Sequence, residues 1–278
     1  MIPEEDINNK LKSRKGFLTS DSTGESSKKV LPDWNSLYTE MEVEDMPWYL
    51  PELDPDLKES LIENHIQTGS FLDLGTGPGT QAIGLSKMGF EVTGTDISAE
   101  AIKKARKLNE DVKFIQDDIL NSHLNVQFDF IFDRGCFHII PEEKRPEYIL
   151  QVVNLLKQNG ILFLKCFSDK NPDTGFGPYH LSKTSIESLF DKDFNIIKIK
   201  DSVYQSTSSR QNNTLFVVMK KLKEIKIGNL RQVFTGVESN FRKFSKYQLG
   251  EDFYNFENGD KEKEIEEPTN SILPTKQD

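Results

Sequence analysis

Four aspartates and three glycines carry the chemistry in this sequence. Asp73 lies two residues before Gly75 in the run SFLDLGTGPGT, Ser70 to Thr80, where Gly75, Gly77 and Gly79 alternate. Asp96 follows Gly75 by 21 residues, and Asp118 and Asp133 each stand after a later apolar run. Alternating glycines between a short apolar strand and a helix bring bare backbone to the edge of a parallel sheet, where a nucleotide-like ligand docks.

Spacing and charge separate the ligands that use such loops. A phosphate loop needs Gly-Lys-Ser/Thr at its end, and Gly79-Thr80-Gln81 offers no lysine. A dinucleotide fingerprint wants glycine at the sixth place, which is Thr80. Pyrophosphate would be repelled by Asp73, whereas an ammonium group would be attracted. S-adenosylmethionine has an amino-acid end, a sulfonium and a ribose, and it has no phosphate. Asp96 then suits the ribose hydroxyls as a charge-assisted acceptor. Asp118 suits the adenine amino group, with Ile119 over a ring face. Thr76 and Ile97 join the expected cofactor set. An aspartate at a strand end also serves as a turn or cap residue, but four in order argue for a site.

The elements that position these groups follow from periodicity. Strands are expected at 71–74, 90–95, 112–116, 128–132, 160–167, 194–200 and 214–220. Asp54-Pro55 opens a helix with Leu57, Leu61, Ile62 and Ile66 on its apolar face. Helices are also expected over 81–88, over 98–108 with Ser98 as cap, over 141–157, and over 182–190. The last-turn residue Leu108 is assigned to the apolar side of its helix. Strand-helix alternation through 71–167 predicts a parallel doubly wound sheet with right-handed crossovers. Before it, 31–53 concentrates Trp34, Tyr38, Trp48 and Tyr49, surface that caps the sheet or lids a ligand. The expected organisation is a disordered segment over 1–30, a domain over 31–222 including that lid, and an appendage over 223–278, partly helical and then disordered.

Composition narrows the class. Of 278 residues 36% are hydrophobic, enough for a core, and the net charge is −10. The last 28 residues carry nine acids against three lysines, so they supply six of those ten charges. The balance disfavours a broad nucleic-acid face. Cys136 and Cys166 make neither a disulfide framework nor a zinc pattern. They read as reduced core thiols, and no metal is expected. No apolar run approaches ~18 residues, so a soluble, cytoplasmic, monomeric protein without membrane contact is expected.

On DLGTGPG at Asp73 to Gly79, the chain resembles class I S-adenosylmethionine-dependent methyltransferases over roughly Trp34 to Lys221. Two further stretches carry a narrower likeness: FDRGCFHIIPEEKRPEY from Phe132 and GPYHLSKTSIESLF from Gly177. They are similar to the thiopurine, halide/thiol and tellurite-resistance methyltransferases. The resemblance implies an α/β, Rossmann-like sheet of seven strands, mostly parallel with an antiparallel last strand. It places Asp73, Gly75, Gly77, Asp96 and Asp118 at cofactor positions, Asp133 and Arg134 in the turn after strand four, and Tyr179 in the later aromatic loop. Trp34 and Trp48 resemble the lid tryptophans. The later loop departs from the group's Gly-Pro-Pro-Tyr, with Phe176 before Gly177 and His180 after the tyrosine.

The implied activity is methyl transfer to a small nucleophile, a thiol or a related sulfur, selenium, tellurium or halide acceptor. Asp133, Arg134, Tyr179 and His180 form the candidate catalytic set, with His138 as a further base or a core residue. Asp133 is read as holding Arg134 or the methionine end of the cofactor, and Arg134 as a ligand for an anion. Arg210, a second cation that could serve an anion, lies in a Ser/Thr/Asn-rich segment and is read as solvated. Two other readings stay open: a protein or RNA methyltransferase whose C-terminal segment docks its partner, and a cofactor-binding module without catalysis.

Overall fold

A computed structural model describes residues 31–173, 177–207 and 212–222. The segments 1–30 and 223–278, Phe176 and Arg210 lie outside the described residues. Seven strands form one sheet: β1 (Ser70–Leu74), β2 (Glu91–Asp96), β3 (Lys113–Gln116), β4 (Phe128–Arg134), β5 (Leu156–Phe167), β6 (Phe194–Tyr204) and β7 (Asn212–Lys221). Their order is β3-β2-β1-β4-β5-β7-β6. Strands β1 to β5 pair in parallel, and β7 runs antiparallel to both β5 and β6. The order reverses at β1 and β4, so the carboxyl ends of these two strands open a crevice suited to a ligand.

Alternation along each strand builds two apolar layers. Leu72, Leu74, Ile131, Leu162 and Leu164 face one side, with α5 (Arg145–Leu155) and α6 (Lys183–Phe190). Phe71, Phe132, Phe163 and Phe216 face the other, with α2 (Pro55–Glu63), α3 (Thr80–Lys87) and α4 (Ala99–Leu108). On that second face Phe71 lies 4.8 Å from Phe130 and 6.1 Å from Phe163, ring to ring. Each buried phenylalanine contributes about 1.5–3 kcal/mol relative to exposure. Asp73 and Lys165 continue the phenylalanine face by period two, and Asp133 continues the leucine face. The buried charges therefore point to opposite sides of the sheet.

Caps fall where short polar side chains precede apolar periodicity. Asp54, Ser98 and Ser182 accept backbone N–H groups at the starts of α2, α4 and α6. Three expectations change. The helix expected from Pro141 starts at Arg145, after a 3-10 turn over Glu142–Lys144. It also ends at Leu155, because Leu156 already pairs with Phe128. Four residues then bulge before Ile161 pairs with Phe130, with Asn159 at φ 64°. Ile62 and Leu108, assigned to buried faces, are 65% and 53% exposed. Each sits at the margin of its stripe, where the helix has already turned from the sheet.

The aromatic pre-core segment folds as α1 (Trp34–Glu40) and a 3-10 turn at Val43–Asp45. Asn35 Oδ1 accepts from Ser98 Oγ and Glu100 N, which ties α1 to the start of α4. No helix among the described residues is long and apolar enough to cross a membrane.

Candidate active site

The glycine loop between β1 and α3 is shaped by what presses on it. Gly75 (φ +67°) and Gly77 (φ +54°) need the left-handed region. A Cβ on Gly75 would stand 2.9 Å from Cys136 Cβ, and one on Gly77 would stand 2.6 Å from Tyr38 Oη. The β4 turn thus seals one side of the loop, and α1 seals another. Trp48 Nε1 donates to Tyr38 Oη at 3.1 Å, and Trp34 meets Trp48 edge-on at 5.8 Å. The two tryptophans and Tyr38 therefore lie together against the loop.

The aspartates take distinct positions. Asp73 is buried at the start of α3 and accepts from Thr76 Oγ1 and from Ala82 N at 3.1 Å. Burial pushes its pKa up to about 6. Asp96 accepts from Gly77 N on one oxygen and from Ser98 N on the other, both at 2.9 Å. Burial raises its pKa as well. Asp118 accepts from Leu120 N at 2.9 Å and caps a turn over Ile119–Asn121. It lines a pocket of about 350 Å³ with Ile97, Ile115, Gln116, Asp117, His123 and Leu124. Ile97 is 53% exposed beside that pocket, whereas Ile119 packs against the core layer of α5 and α6.

Asp133 is wholly buried and accepts four hydrogen bonds. They come from the N–H groups of Gly135, Cys136 and Phe137 at 3.0, 2.7 and 2.9 Å, and from Tyr148 Oη at 2.6 Å. Burial still holds its pKa up to about 6. Its hydrogen bonds therefore come from its own turn and from α5. Arg134 is bound elsewhere: Nε donates to Asp54 Oδ2 at 2.8 Å, and the other nitrogens donate to the carbonyls of Trp48 and Gln205. Its guanidinium lies 4.2 Å over the Tyr204 ring.

Asp54 also accepts from the wholly buried Lys165 at 2.9 and 3.1 Å, and Lys165 reaches Asp56 at 2.7 Å. This four-charge cluster joins the Trp48 carbonyl and the start of α2 to the tips of β4, β5 and β6. The one signal of this cluster in the sequence is Lys165, a lone charge in the apolar run ILFLKCF.

The remaining candidate residues gather at the ends of β4 and β5. His138 Nδ1 accepts from Phe167 N at 3.0 Å, and burial lowers its pKa to about 3. Its backbone oxygen accepts from Tyr179 N at 2.6 Å, which docks the 177–181 loop beside the β4 turn. The His180 ring stands 6.1 Å from Phe167, and the Tyr179 ring faces the guanidinium of Arg145 at 5.3 Å. The structure thus gathers two neighbouring groups. Asp73, Thr76, Gly75, Gly77 and Asp96 surround the loop with Trp34, Tyr38 and Trp48, and Tyr179 and His180 stand past the turn of Asp133. Asp118 and Ile97 extend the first group at the ends of β2 and β3. Among the described residues no group of three or more His, Cys, Asp or Glu side chains could hold a metal ion.

This geometry has relatives. The Methyltransferase domain family model matches residues 71–160. An uncharacterized methyltransferase of Schizosaccharomyces pombe is 34% identical over 119 residues, which cover 39% of this chain and 81% of that protein. Thiocyanate methyltransferase 1 of Brassica oleracea is 25% identical over 176 residues, covering 61% of this chain and 77% of its own. A solved S-adenosylmethionine-dependent methyltransferase of Methanosarcina mazei superposes with a TM-score of 0.53 at 20% identity, covering 62% of this chain and 100% of that one.

Proposed function

The chain belongs to the class I S-adenosylmethionine-dependent methyltransferases, and from that premise we propose that it methylates a small, soft nucleophile. A thiol, or a related sulfur, selenium, tellurium or halide acceptor, is the class we favour, with residues 31–222 as the catalytic domain. The chain's residues fit the cofactor. Each oxygen of Asp96 has one backbone donor and keeps acceptor capacity for a ribose diol. The pocket beside Ile97 and Asp118 has room for a planar base. The bare backbone at Gly75 and Gly77 allows close approach. S-adenosylmethionine, when bound, supplies a methyl carbon activated by its sulfonium.

The observation that carries the acceptor class is the state of the ionisable groups around the β4 turn. Asp133 accepts four hydrogen bonds from its own turn and Tyr148, Arg134 is paired with Asp54, and His138 is held neutral with Nδ1 accepting from Phe167. An oxygen or nitrogen acceptor needs a group that takes its proton, a task that these three side chains do not offer and that would fall to His180. A thiol with pKa near ~8.5 is partly ionised at neutral pH and needs little such help. The chain's contribution is then alignment and exclusion of water, worth roughly 7–11 kcal/mol at the upper end. In this proposal Tyr179 and His180 border the acceptor, and Tyr38, Trp34 and Trp48 close the site from the lid side. The likeness to a thiocyanate methyltransferase supports the same class.

A labelled-methyl screen across thiols, thiocyanate, halides, selenite, small amines, peptides and RNA tests it. Turnover confined to soft nucleophiles is expected. Labelling of peptide or RNA alone would overturn the proposal in favour of a macromolecular substrate.

A further inference from the structure

The first residue of α5 holds a positive charge that the fold leaves uncompensated. Arg145 is 6% exposed, with its guanidinium 5.8 Å from the Phe137 ring and 5.3 Å from the Tyr179 ring. Its Nε is buried without a hydrogen-bond partner. Among the described residues no carboxylate forms an ion pair with it, and Glu142 and Glu143 act on it only at longer range. A guanidinium stays protonated in proteins, so it cannot escape burial by losing its charge. Contacts with two aromatic faces offset only part of that desolvation. A side chain with no task beyond packing would be replaced at lower cost by methionine or leucine.

Its position gives the charge a use. Tyr179 belongs to the loop that the His138 carbonyl docks beside the β4 turn, at the carboxyl end of β5. The guanidinium therefore stands at the wall of the acceptor region, on the far side from Asp73 and Asp96. We propose that Arg145, with Tyr179, recognises an anionic group on the methyl acceptor and selects small thiols bearing a carboxylate over neutral thiols. This rests on the soft-nucleophile reading above. The free nitrogen of a planar fork suits a carboxylate, which takes hydrogen bonds from Arg with defined geometry.

Mercaptoacetate and 2-mercaptoethanol, which differ in the anionic group, are the probes. Wild type, Arg145→Met and Arg145→Lys are compared by kcat/KM for both thiols. Thermal melting with and without mercaptoacetate, in the presence of S-adenosylhomocysteine, reports binding without turnover. In Arg145→Met the preference for mercaptoacetate should fall at least tenfold, mainly through its KM, and the melting shift should vanish. The melting temperature of that variant should equal or exceed wild type, because an unpaired buried charge has been removed. Arg145→Lys should keep part of the preference.

An unchanged preference would overturn the proposal. So would an equal loss for both thiols with a lower melting temperature, which is the signature of a packing role. A wild type that methylates neither thiol but shows the Arg145-dependent melting shift would refute the soft-nucleophile reading while upholding anion recognition. Absence of that shift in wild type would sink the anion site itself.

Discussion

Replacing Asp54 with alanine tests the buried cluster that fastens the Trp48 carbonyl to the sheet. Asp54 is wholly buried and accepts from Arg134 Nε at 2.8 Å and from Lys165 Nζ at 2.9 and 3.1 Å. It also caps α2 through Asp56 N at 3.0 Å. Truncation leaves two buried cations short of a partner, though not bare. Lys165 keeps Asp56 at 2.7 Å, and Arg134 keeps the carbonyls of Trp48 and Gln205. Breaking a buried pair costs about 3–5 kcal/mol, and the remaining contacts place this case near ~3. The lost cap adds about 1 kcal/mol. A total of about 4 kcal/mol, at ~2–4 °C per kcal/mol for a unit of this size, lowers the melting temperature by roughly 8–16 °C.

Differential scanning calorimetry at neutral pH measures this fall directly. Asp54→Asn, which keeps the cap geometry and loses only the charge, should show a smaller fall. Because the pairs are buried, 1 M salt should leave the difference largely intact. A fall below about 2 °C for Asp54→Ala would refute the reasoning, since the cluster would then add nothing to the fold. Cofactor affinity, read by calorimetric titration, should weaken in parallel, because Arg134 binds the carbonyl of Trp48, whose ring packs with Tyr38 against the glycine loop.

Two further outcomes follow from the glycine loop. Asp96→Ala should abolish measurable S-adenosylmethionine binding, because it removes both the acceptor for the ribose hydroxyls and the partner of Gly77 N. Unchanged affinity by calorimetry would contradict that assignment. Asp73, held at about 6 by burial, keeps its proton in the folded chain over a range where the unfolded chain, near ~3.9, has lost it. The stability this group contributes is present below pH ~4 and is lost as pH rises through about 6. Asp73→Asn has no such carboxyl to ionise. Its stability relative to wild type should therefore improve by about 1–3 kcal/mol between pH 4.5 and 7, read from urea unfolding. A pH-independent difference would contradict the burial of the charge.

Local sequence determined the strands, the caps and the glycine loop, because each depends on residues within one or two turns of one another. Asp54-Pro55 and Ser98 are read as helix starts without any tertiary knowledge, since the orphan N–H groups lie within three residues. DLGTGPG places bare backbone after a buried strand for the same local reason. The end of the long helix at Leu155 escaped that reasoning, because it is set by Leu156 pairing with Phe128, 28 residues earlier.

The partners of the charged groups were not legible for a similar reason. Arg134 looked like a ligand for an anion, yet Asp54, 80 positions away, stands against it once α2 packs on the sheet. Lys165 could be flagged as a charge inside an apolar strand, but its carboxylates lie more than a hundred residues upstream. Arg145 opens α5, and only the docking of the Tyr179 loop and Phe137 around it buries the guanidinium. Periodicity records which side of an element faces the core. It holds no information on which distant side chain arrives there, and in this chain those arrivals decide which charges remain for a ligand.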